Sequence, residues 1–251
     1  MNPAATNPLV VERLTKRFGG LQALNGVDLS IEPGERRAII GPNGAGKTTF
    51  FNLITGTLPT TSGRILLFGH DVTNMSTHQR SRLGLARTFQ ITTLFPHLTV
   101  LDNVLLAVQA LDPAKFVLHR SRTAFPRMFA KAKALLEQWG LAEQTGTQVR
   151  TLSYGEQRQV ELLLALAGSP KILLLDEPTA GLSPAETATV ASMIKTLTRE
   201  MAILIIEHDM DVAFELVDRI TVLHQGRVLA EGNGEEIKRN PEVAEIYLGV
   251  Q

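Results

Sequence analysis

The chain has no cysteine, and neither sign of charge is in excess. The absence of cysteine among its 251 residues excludes disulfide bonds, thiolate metal sites and a cysteine nucleophile. Lysine plus arginine and aspartate plus glutamate number 25 each, so the formal net charge is zero. A dedicated nucleic-acid-binding protein normally carries a basic excess, so these counts argue against nucleic acid as a partner.

Long apolar runs and a targeting segment are also missing. The longest apolar runs, such as "VELLLALAG", are far too short to cross a bilayer. The N-terminus "MNPAATNPLVVERL" has no basic region followed by an apolar stretch, which a secretory signal peptide would show. We therefore expect a cytoplasmic protein that works at a membrane only through a partner.

The pattern of apolar residues predicts an α/β protein with a helical insert. Short strands dominate the first part of the chain, and the pattern turns helical from about residue 101 to 165. Beyond it, strands and helices alternate. This alternation indicates a mainly parallel sheet flanked by helices.

A glycine-rich segment has the sequence of a phosphate-binding loop. "GPNGAGKT" matches G-x-x-x-x-G-K-[ST], follows a predicted strand and opens a predicted helix. Its glycines permit turns that aim consecutive N–H groups at an anion. Lys47 can reach the β- and γ-phosphates, and the Thr48 hydroxyl can ligate Mg²⁺. We predict nucleotide contacts from Gly41, Pro42, Asn43, Gly44, Ala45, Gly46, Lys47, Thr48 and Thr49.

Two carboxylates and a histidine end two apolar strands. "KILLLDEP" ends in Asp176 and Glu177, and ligands of open parallel sheets bind at the carboxyl ends of strands. Asp176 is predicted to hold Mg²⁺ through its water shell, and Glu177 to polarise a water beside the γ-phosphate. His208 ends another strand, and Gln90 precedes the helical insert. Taken singly, all four are also compatible with ordinary polar positions.

The segment "LSYGEQ", residues 152–157, predicts a capped helix start. Ser153 and Glu156 have the spacing of a capping box, although Gly155 is a poor residue for a first helical turn. A helix start offers unpaired N–H groups, which suit an anion. An ordinary capped helix is the alternative interpretation.

The order of these elements resembles that of ATP-binding-cassette (ABC) ATPases over about residues 9–249. The LSYGEQ segment is similar to the signature motif of that family. The resemblance implies that this helix start binds the γ-phosphate of an ATP held by the opposite subunit. Ser153, Gly155 and Glu156 are its predicted contacts.

The resemblance also assigns roles to single residues. Phe18 matches the aromatic that stacks on adenine, with a role in the apolar core as the alternative. Gln90 matches the residue that contacts Mg²⁺ and the attacking water and links to the membrane partner. Glu177 matches the catalytic base and His208 the γ-phosphate switch. The cofactors implied are ATP and Mg²⁺.

Two positions depart from the family pattern. Tyr154 occupies a signature position that is usually small. Ser183 stands where many cassettes have aspartate, which puts a contact across the dimer in doubt. Ser183 and Glu186 form another predicted capping box with proline at the first helical position, so the helix start itself is preserved.

The resemblance implies a single nucleotide-binding domain with the P-loop NTPase fold. Its β subdomain and core would cover residues 9–90 and 166–251, with an antiparallel β subdomain near the N-terminus. A helical subdomain over about 91–165 would carry the signature motif.

Within the family, the segments "LARTFQITTLFPHLTVLDNV" and "NPEVAEIYLG" resemble the ATPases of branched-chain amino acid importers. This implies transmembrane permease subunits, a second ATPase subunit of the same or another kind, and indirectly a solute-binding protein. One alternative is a non-transport ABC ATPase of translation or DNA repair, which usually carries two cassettes or coiled-coil arms. The other is a P-loop GTPase or kinase. The guanine motif Asn-Lys-x-Asp is absent, and neither class explains LSYGEQ.

Two further segments give expectations about partners. "TTLFPHL" is predicted to expose Leu94, Phe95 and Leu98 at the groove that receives a permease loop. Between Lys115 and Lys133, six basic residues occur without an acid. They predict either a face toward anionic lipid or an ordinary solvated helix face.

Overall fold

The computed structural model describes residues 6–88, 94–110 and 126–248. The strands are β1 (Leu9–Phe18), β2 (Leu21–Ile31), β3 (Arg36–Ile40), β4 (Ser62–Leu67), β5 (His70–Asp71), β6 (Leu85–Arg87), β7 (Ile172–Asp176), β8 (Ala202–Ile206), β9 (Arg219–His224) and β10 (Arg227–Gly232). The helices are α1 (Lys47–Thr55), α2 (Thr77–Arg82), α3 (Val100–Ala110), α4 (Pro126–Gln138), α5 (Tyr154–Leu166), α6 (Pro184–Thr196), α7 (Met210–Leu216), α8 (Gly234–Arg239) and α9 (Pro241–Leu248).

An antiparallel sheet of four strands, in the order β2-β1-β4-β5, forms one layer. Its apolar side chains, among them Leu9 and Leu14, are buried in one cluster with Phe50 and Phe51 of α1. The sheet therefore packs against the helix that follows the glycine loop. The predicted N-terminal antiparallel β subdomain is confirmed.

The central sheet has six strands in the order β10-β9-β3-β8-β7-β6, and all its pairs are parallel except β9 with β10. Every residue of β3, β7 and β8 is buried, as expected of parallel strands covered on both faces. Their registers place Ile206 of β8 between Ile39 of β3 and Asp176 of β7. The carboxyl ends of these three strands thus share one edge of the sheet.

Helices α3, α4 and α5 follow one another between β6 and β7 and pack around a separate apolar cluster. Val104, Leu136 and Leu163 contribute to it from the three helices. The predicted helical insert is therefore present, while the residue boundaries 9–90, 91–165 and 166–251 stay a prediction. None of the helices in the described ranges is long and apolar enough to cross a membrane.

Helix α2 was not predicted from the sequence. Its six residues, "THQRSR", include no apolar side chain, so the segment has no hydrophobic periodicity. The helix starts at a capping box between Ser76 and Gln79. Arg80 is buried and donates to the carbonyls of Leu53 and Ile54 at the end of α1. Helix α2 thus stabilises the far end of the helix that begins at the glycine loop.

Candidate active site

The glycine loop connects β3 to α1 in a conformation that requires glycine. Gly46 precedes the first residue of α1 with φ 105°, and no side chain caps the helix there. A Cβ atom on Gly46 would lie 2.7 Å from the carbonyl oxygen of Ala23, so substitution is excluded by space as well as by φ. The first N–H groups of α1 are therefore left for a ligand without a side-chain cap, as at a phosphate site.

Lys47 lies folded across the loop. Its ammonium donates to the carbonyl oxygen of Gly41 at 2.6 Å and to that of Pro42 at 3.0 Å, and the residue is buried. Burial lowers the pKa of Lys47, and the negative charges of Glu177 and Asp176 oppose this shift. The side chain is thus a buried cation, held by two neutral acceptors, beside two carboxylates.

A cleft of about 680 Å³ brings the predicted nucleotide residues together. It is lined by Phe18, Leu21, Gln22, Ala23, Asn43, Gly44, Ala45, Gly46, Lys47, Thr48, Thr49, Glu177, His208 and Gln225. The segment LSYGEQ contributes none of the described residues of this lining. One chain therefore places the glycine loop, the strand-end glutamate and the histidine around one cavity, with the signature helix elsewhere.

Aromatic and apolar surface lies at one end of the cleft. Phe18 is 45 % exposed and Leu21 is 68 % exposed, although both are large apolar residues. The Lys16 ammonium lies 5.0 Å from the centre of the Phe18 ring. A ring that is 45 % exposed on the lining of the cleft is accessible to a base, and its stacking on adenine stays a prediction.

Glu177 and His208 are in contact just beyond the carboxyl ends of β7 and β8. Their side chains are 2.6 Å apart, between Glu177 Oε1 and His208 Nε2. Glu177 has a φ of 49°, a left-handed conformation that costs about 1–3 kcal/mol for a residue other than glycine. Its backbone N–H donates to the carbonyl of Ile206 at 2.9 Å. The strained backbone aims the carboxylate away from the sheet and into the cleft.

Asp176, one residue earlier, is almost fully buried. Its Oδ2 atom accepts from the guanidinium of Arg87 at 2.6 Å. Its Oδ1 atom is buried and has no hydrogen-bond partner in the described part of the chain. An oxygen left unpaired beside a phosphate loop is suited to a metal-bound water.

Arg87 is a site residue that sequence analysis missed. Its second guanidinium nitrogen donates to Asn52 of α1 at 2.6 Å, so the side chain ties α1 to the end of β7. Arg87 therefore fixes the position of the helix that carries Thr48 relative to the strand that carries Asp176. Its partner Asp176 lies 89 residues away in sequence, so no local pattern indicates the contact.

The start of α5 confirms the predicted capping box and contains an unpredicted contact. The Ser153 hydroxyl accepts from Glu156 N–H, and the Glu156 carboxylate accepts from Ser153 N–H at 2.7 Å. The other Glu156 oxygen accepts from Gln144 at 2.9 Å. The Gly155 N–H donates to Glu186 at 3.0 Å. This helix start therefore already binds an anion, the carboxylate of α6.

The Glu186 side chain occupies the space that a side chain at residue 155 would fill. A Cβ atom there would lie 2.6 Å from Glu186 Cγ, which is closer than any ordinary contact. The capping box of α6 is confirmed, since Ser183 and Glu186 bond reciprocally. Hydrogen bonds from Ser183, and then from Gly155, lower the pKa of Glu186. The missing side chain at Gly155 makes room for Glu186 in this structure, and the contact of Gly155 with a phosphate stays a prediction.

Tyr154 replaces the small signature residue with a half-exposed ring. Its hydroxyl accepts from Arg158 at 2.7 Å, and a Cβ on Gly181 would lie 3.3 Å from the ring. Arg158 in turn pairs with buried Glu161 at 2.8 Å. The tyrosine is thus fixed against the loop before α6.

The expected apolar surface after residue 93 is smaller than predicted. Leu94 is buried in the helical cluster and Leu98 is half-buried, so their predicted exposure was wrong. Phe95 is 56 % exposed. The side chain of buried Asn103 accepts from the backbone N–H of Phe95 at 2.8 Å and donates to the backbone carbonyl of Phe95 at 3.2 Å. The loop therefore presents one aromatic ring on a fixed backbone.

Some predicted residues lie outside the described ranges. Gln90 is one of them, and so are three of the six basic residues of the stretch 115–133. Arg127, Lys131 and Lys133 are described, on the exposed side of α4.

Comparison with known families gives two matches along the chain. The family described as "ABC transporter" matches residues 24–180. A second, described as "Branched-chain amino acid ATP-binding cassette transporter", matches residues 227–251. The two together span the glycine loop, the strand-end carboxylates and the last helix.

Curated relatives align with nearly the full chain. A high-affinity branched-chain amino acid transport ATP-binding protein of Pseudomonas aeruginosa is 41% identical over 96% of this chain and 97% of its own length. The protein of the same description from Escherichia coli K12 is 42% identical over 96% of this chain and 97% of its own length.

Solved structures show the same architecture. An ATP-binding cassette of an ABC transporter in its ADP conformation is 32% identical, with a TM-score of 0.82, over 97% of this chain and 99% of that one. A cassette described as a dimeric post-hydrolysis state bound to ADP and phosphate is 27% identical, with a TM-score of 0.75, over 90% of this chain and 98% of that one.

Proposed function

Because the chain belongs to the ABC transporter family of ATP-binding proteins, we propose that it is the ATPase subunit that powers an importer of branched-chain amino acids. The reaction of this family is ATP hydrolysis. The relatives described above are transport proteins, so a role in translation or DNA repair finds no support. The class of solute rests on the relatives, since nothing in an ATP site contacts the transported molecule.

One observation carries the assignment of the active site. A single cleft contains the glycine loop, the buried Lys47 cation and the Glu177–His208 pair. In this proposal the first N–H groups of α1 and the Lys47 ammonium bind the β- and γ-phosphates. Phe18 stacks on the adenine at the other end of the cleft.

Glu177 then acts as the general base. Its carboxylate, which is 2.6 Å from His208 before ATP binds, takes a proton from the water that attacks the γ-phosphate. His208 is the more exposed of the two side chains, so it can turn from Glu177 to a phosphate oxygen when ATP binds. Proton transfer to a positioned carboxylate contributes about 10²–10⁴-fold to such reactions.

The residues present also fit Mg²⁺. Mg²⁺ keeps several waters and takes few carboxylates, which agrees with one hydroxyl at Thr48 and one unpaired buried oxygen on Asp176. In the described residues no group of three acidic or histidine side chains forms a metal cage, so ATP itself would complete the coordination. When bound, the ion neutralises phosphate charge. Gln90 remains a proposed third ligand.

The partners follow from the incomplete site. The helix start at Ser153 and Gly155 does not line the cleft of its own chain, and a related cassette forms a dimer. We infer that it contacts ATP held by a second ATPase subunit. Phe95 would lie at the groove that receives a loop of a transmembrane permease subunit at the cytoplasmic face, and the permease would receive solute from a binding protein.

The proposal is tested in membrane vesicles that contain the complete transporter. With ATP inside and labelled leucine plus the solute-binding protein outside, we expect uptake from wild type and none from Glu177→Gln. The variant should still bind ATP, because the amide leaves the shape of the cleft unchanged. It should not hydrolyse ATP, because an amide cannot take the proton. Exposed Glu200→Gln is the matched control and should transport normally. Turnover of Glu177→Gln at the wild-type rate would remove Glu177 from the role of base, and uptake of no branched-chain amino acid would overturn the solute class.

A further inference from the structure

Glu207 is a buried carboxylic acid immediately after β8. Only 2 % of the residue is exposed, and it lies between the last buried residue of the strand and His208. A buried glutamate is rare unless its oxygens are satisfied, so its contacts indicate what it does.

The Glu207 oxygens bind two different segments. Oε1 accepts from the hydroxyl of Thr179 at 2.7 Å and from the backbone N–H of Thr179 at 3.2 Å. Oε2 accepts from the backbone N–H of His208 at 3.2 Å. One carboxylate thus connects the loop after β7 with the residue after β8.

These two segments carry the pair at the active site. Thr179 is two residues after Glu177, whose own N–H bonds to Ile206 beside Glu207. The side chains of Glu177 and His208 are 2.6 Å apart. Glu207 therefore bonds to both segments whose side chains, Glu177 and His208, contact each other in the cleft.

The acid is retained at this position against an energetic cost. Burial raises the pKa of Glu207, its hydrogen bonds with Thr179 and His208 oppose the shift, and the negative charge of Glu177 adds to it. A neutral apolar residue would avoid that cost but would leave three donors of the two segments unpaired. A carboxyl group whose pKa is raised by burial next to an active site is typical of a functional position.

We propose that Glu207 is a positioning residue that fixes Glu177 relative to His208 and so sets the rate of ATP hydrolysis. The proposal rests on the base and switch roles given above to these two residues. It assigns no contact with ATP to Glu207, which does not line the cleft.

The test compares Glu207→Ala and Glu207→Gln with wild type in steady-state hydrolysis of Mg²⁺-ATP. Misplacing a reacting group by about 1 Å can cost about 100-fold, so we expect kcat of Glu207→Ala to fall at least tenfold. KM for ATP should stay within about twofold, because the glycine loop is untouched. The Gln carboxamide can still accept from Thr179 but cannot accept from His208 with its NH₂ group, so its kcat should lie between the two.

Glu35→Gln is the matched control for a loss of structure. Glu35 is a buried carboxylate that pairs with Arg37 at 2.6 Å beside the same sheet. This variant should lose thermal stability and keep kcat. A kcat of Glu207→Ala within twofold of wild type, or a fall accompanied by an equal loss in Glu35→Gln, would overturn the proposal.

Two further outcomes are decided in advance. Should Glu207→Ala fail to fold, the nearly isosteric Glu207→Gln decides the question, and a wild-type kcat there overturns the proposal. Glu177→Gln is measured in parallel. Its normal turnover would refute the base assignment itself, whereas its loss of turnover beside normal Glu207 variants would refute only the positioning role.

Discussion

The two helices of this chain that begin at candidate phosphate contacts start in opposite ways. Helix α1 follows Gly46 with no side-chain cap, and Lys47 lies bonded to carbonyls of its own loop. Helix α5 has a complete capping box between Ser153 and Glu156, and its Gly155 N–H bonds to a carboxylate of the same chain. The second start has side-chain partners from its own chain, and the first has no side-chain cap.

The difference shows which helix start keeps its N–H groups free of side-chain caps and so accessible to a ligand. Unpaired N–H groups at α1 are satisfied only by water or by a ligand, and a buried cation lies next to them. At α5 the capping groups and Glu186 satisfy the donors within the chain. A phosphate of another subunit can therefore bind α5 only by adding to these contacts or by replacing Glu186.

The largest effect is expected at α1. Lys47→Ala removes the cation beside the helix start that has no side-chain cap, and the loss of a positioned charge of this kind costs about 10²–10³-fold in turnover. ATP binding, followed by fluorescence of a labelled nucleotide, should weaken as well. Exposed Lys238→Ala is the control and should leave both quantities unchanged. Equal losses in the two variants would contradict the special place of α1.

A medium effect is expected from Gly155→Ala. The new Cβ would lie 2.6 Å from Glu186 Cγ, so the Glu186 side chain must turn away and lose its bond to the N–H of residue 155, which should lower Tm. Without the clash, alanine would be the better residue for a helix.

A double-mutant cycle isolates that clash. In the Glu186→Ala background, Gly155→Ala should be neutral or stabilising in thermal denaturation, because the obstructing side chain is gone. An equal loss of Tm in both backgrounds would mean that Gly155 is needed for another reason.

The smallest effect is expected from the charge of Glu186. Its pKa is lowered from 4.5 in the folded chain by hydrogen bonds, first of all from Ser183. The ionised form therefore stabilises the fold above about pH 4.5, and this contribution is lost as the pH falls through the lowered pKa. The Tm difference between wild type and Glu186→Gln should be greater at pH 7 than at pH 4. A constant difference over this range would show that the charge does not contribute.

Sequence patterns predicted the features that depend on neighbours along the chain. The glycine loop, the two capping boxes at Ser153 and Ser183, and the apolar parallel strands each occupy a few consecutive residues. The exposure of Leu94 was wrong because an apolar run does not show which of its side chains turns toward the core.

What the sequence could not show are contacts between distant segments. Arg87 bonds Asp176 across 89 residues, Glu186 bonds Gly155 across 31, and Glu207 bonds Thr179 across 28. Nothing in the segment around either residue of a pair indicates the other. The parallel arrangement of β6, β7 and β8 brings the first and third pairs together, and the packing of α5 on α6 brings the second together.

Mixing two inactive variants tests most directly whether the two helix starts serve different nucleotides. Lys47→Ala disables the nucleotide site of its own chain, and Ser153→Arg is expected to disable the site of the partner. Both variants are first checked by thermal denaturation, because the arginine also removes the cap of α5, worth about 1 kcal/mol. The unmixed wild type must show a rate per chain that rises with protein concentration. In a mixed dimer both defects then fall on one site and leave the other intact, so the account predicts that ATP hydrolysis returns, to at most about half of the wild-type rate per dimer. A complete absence of hydrolysis at every mixing ratio would contradict it.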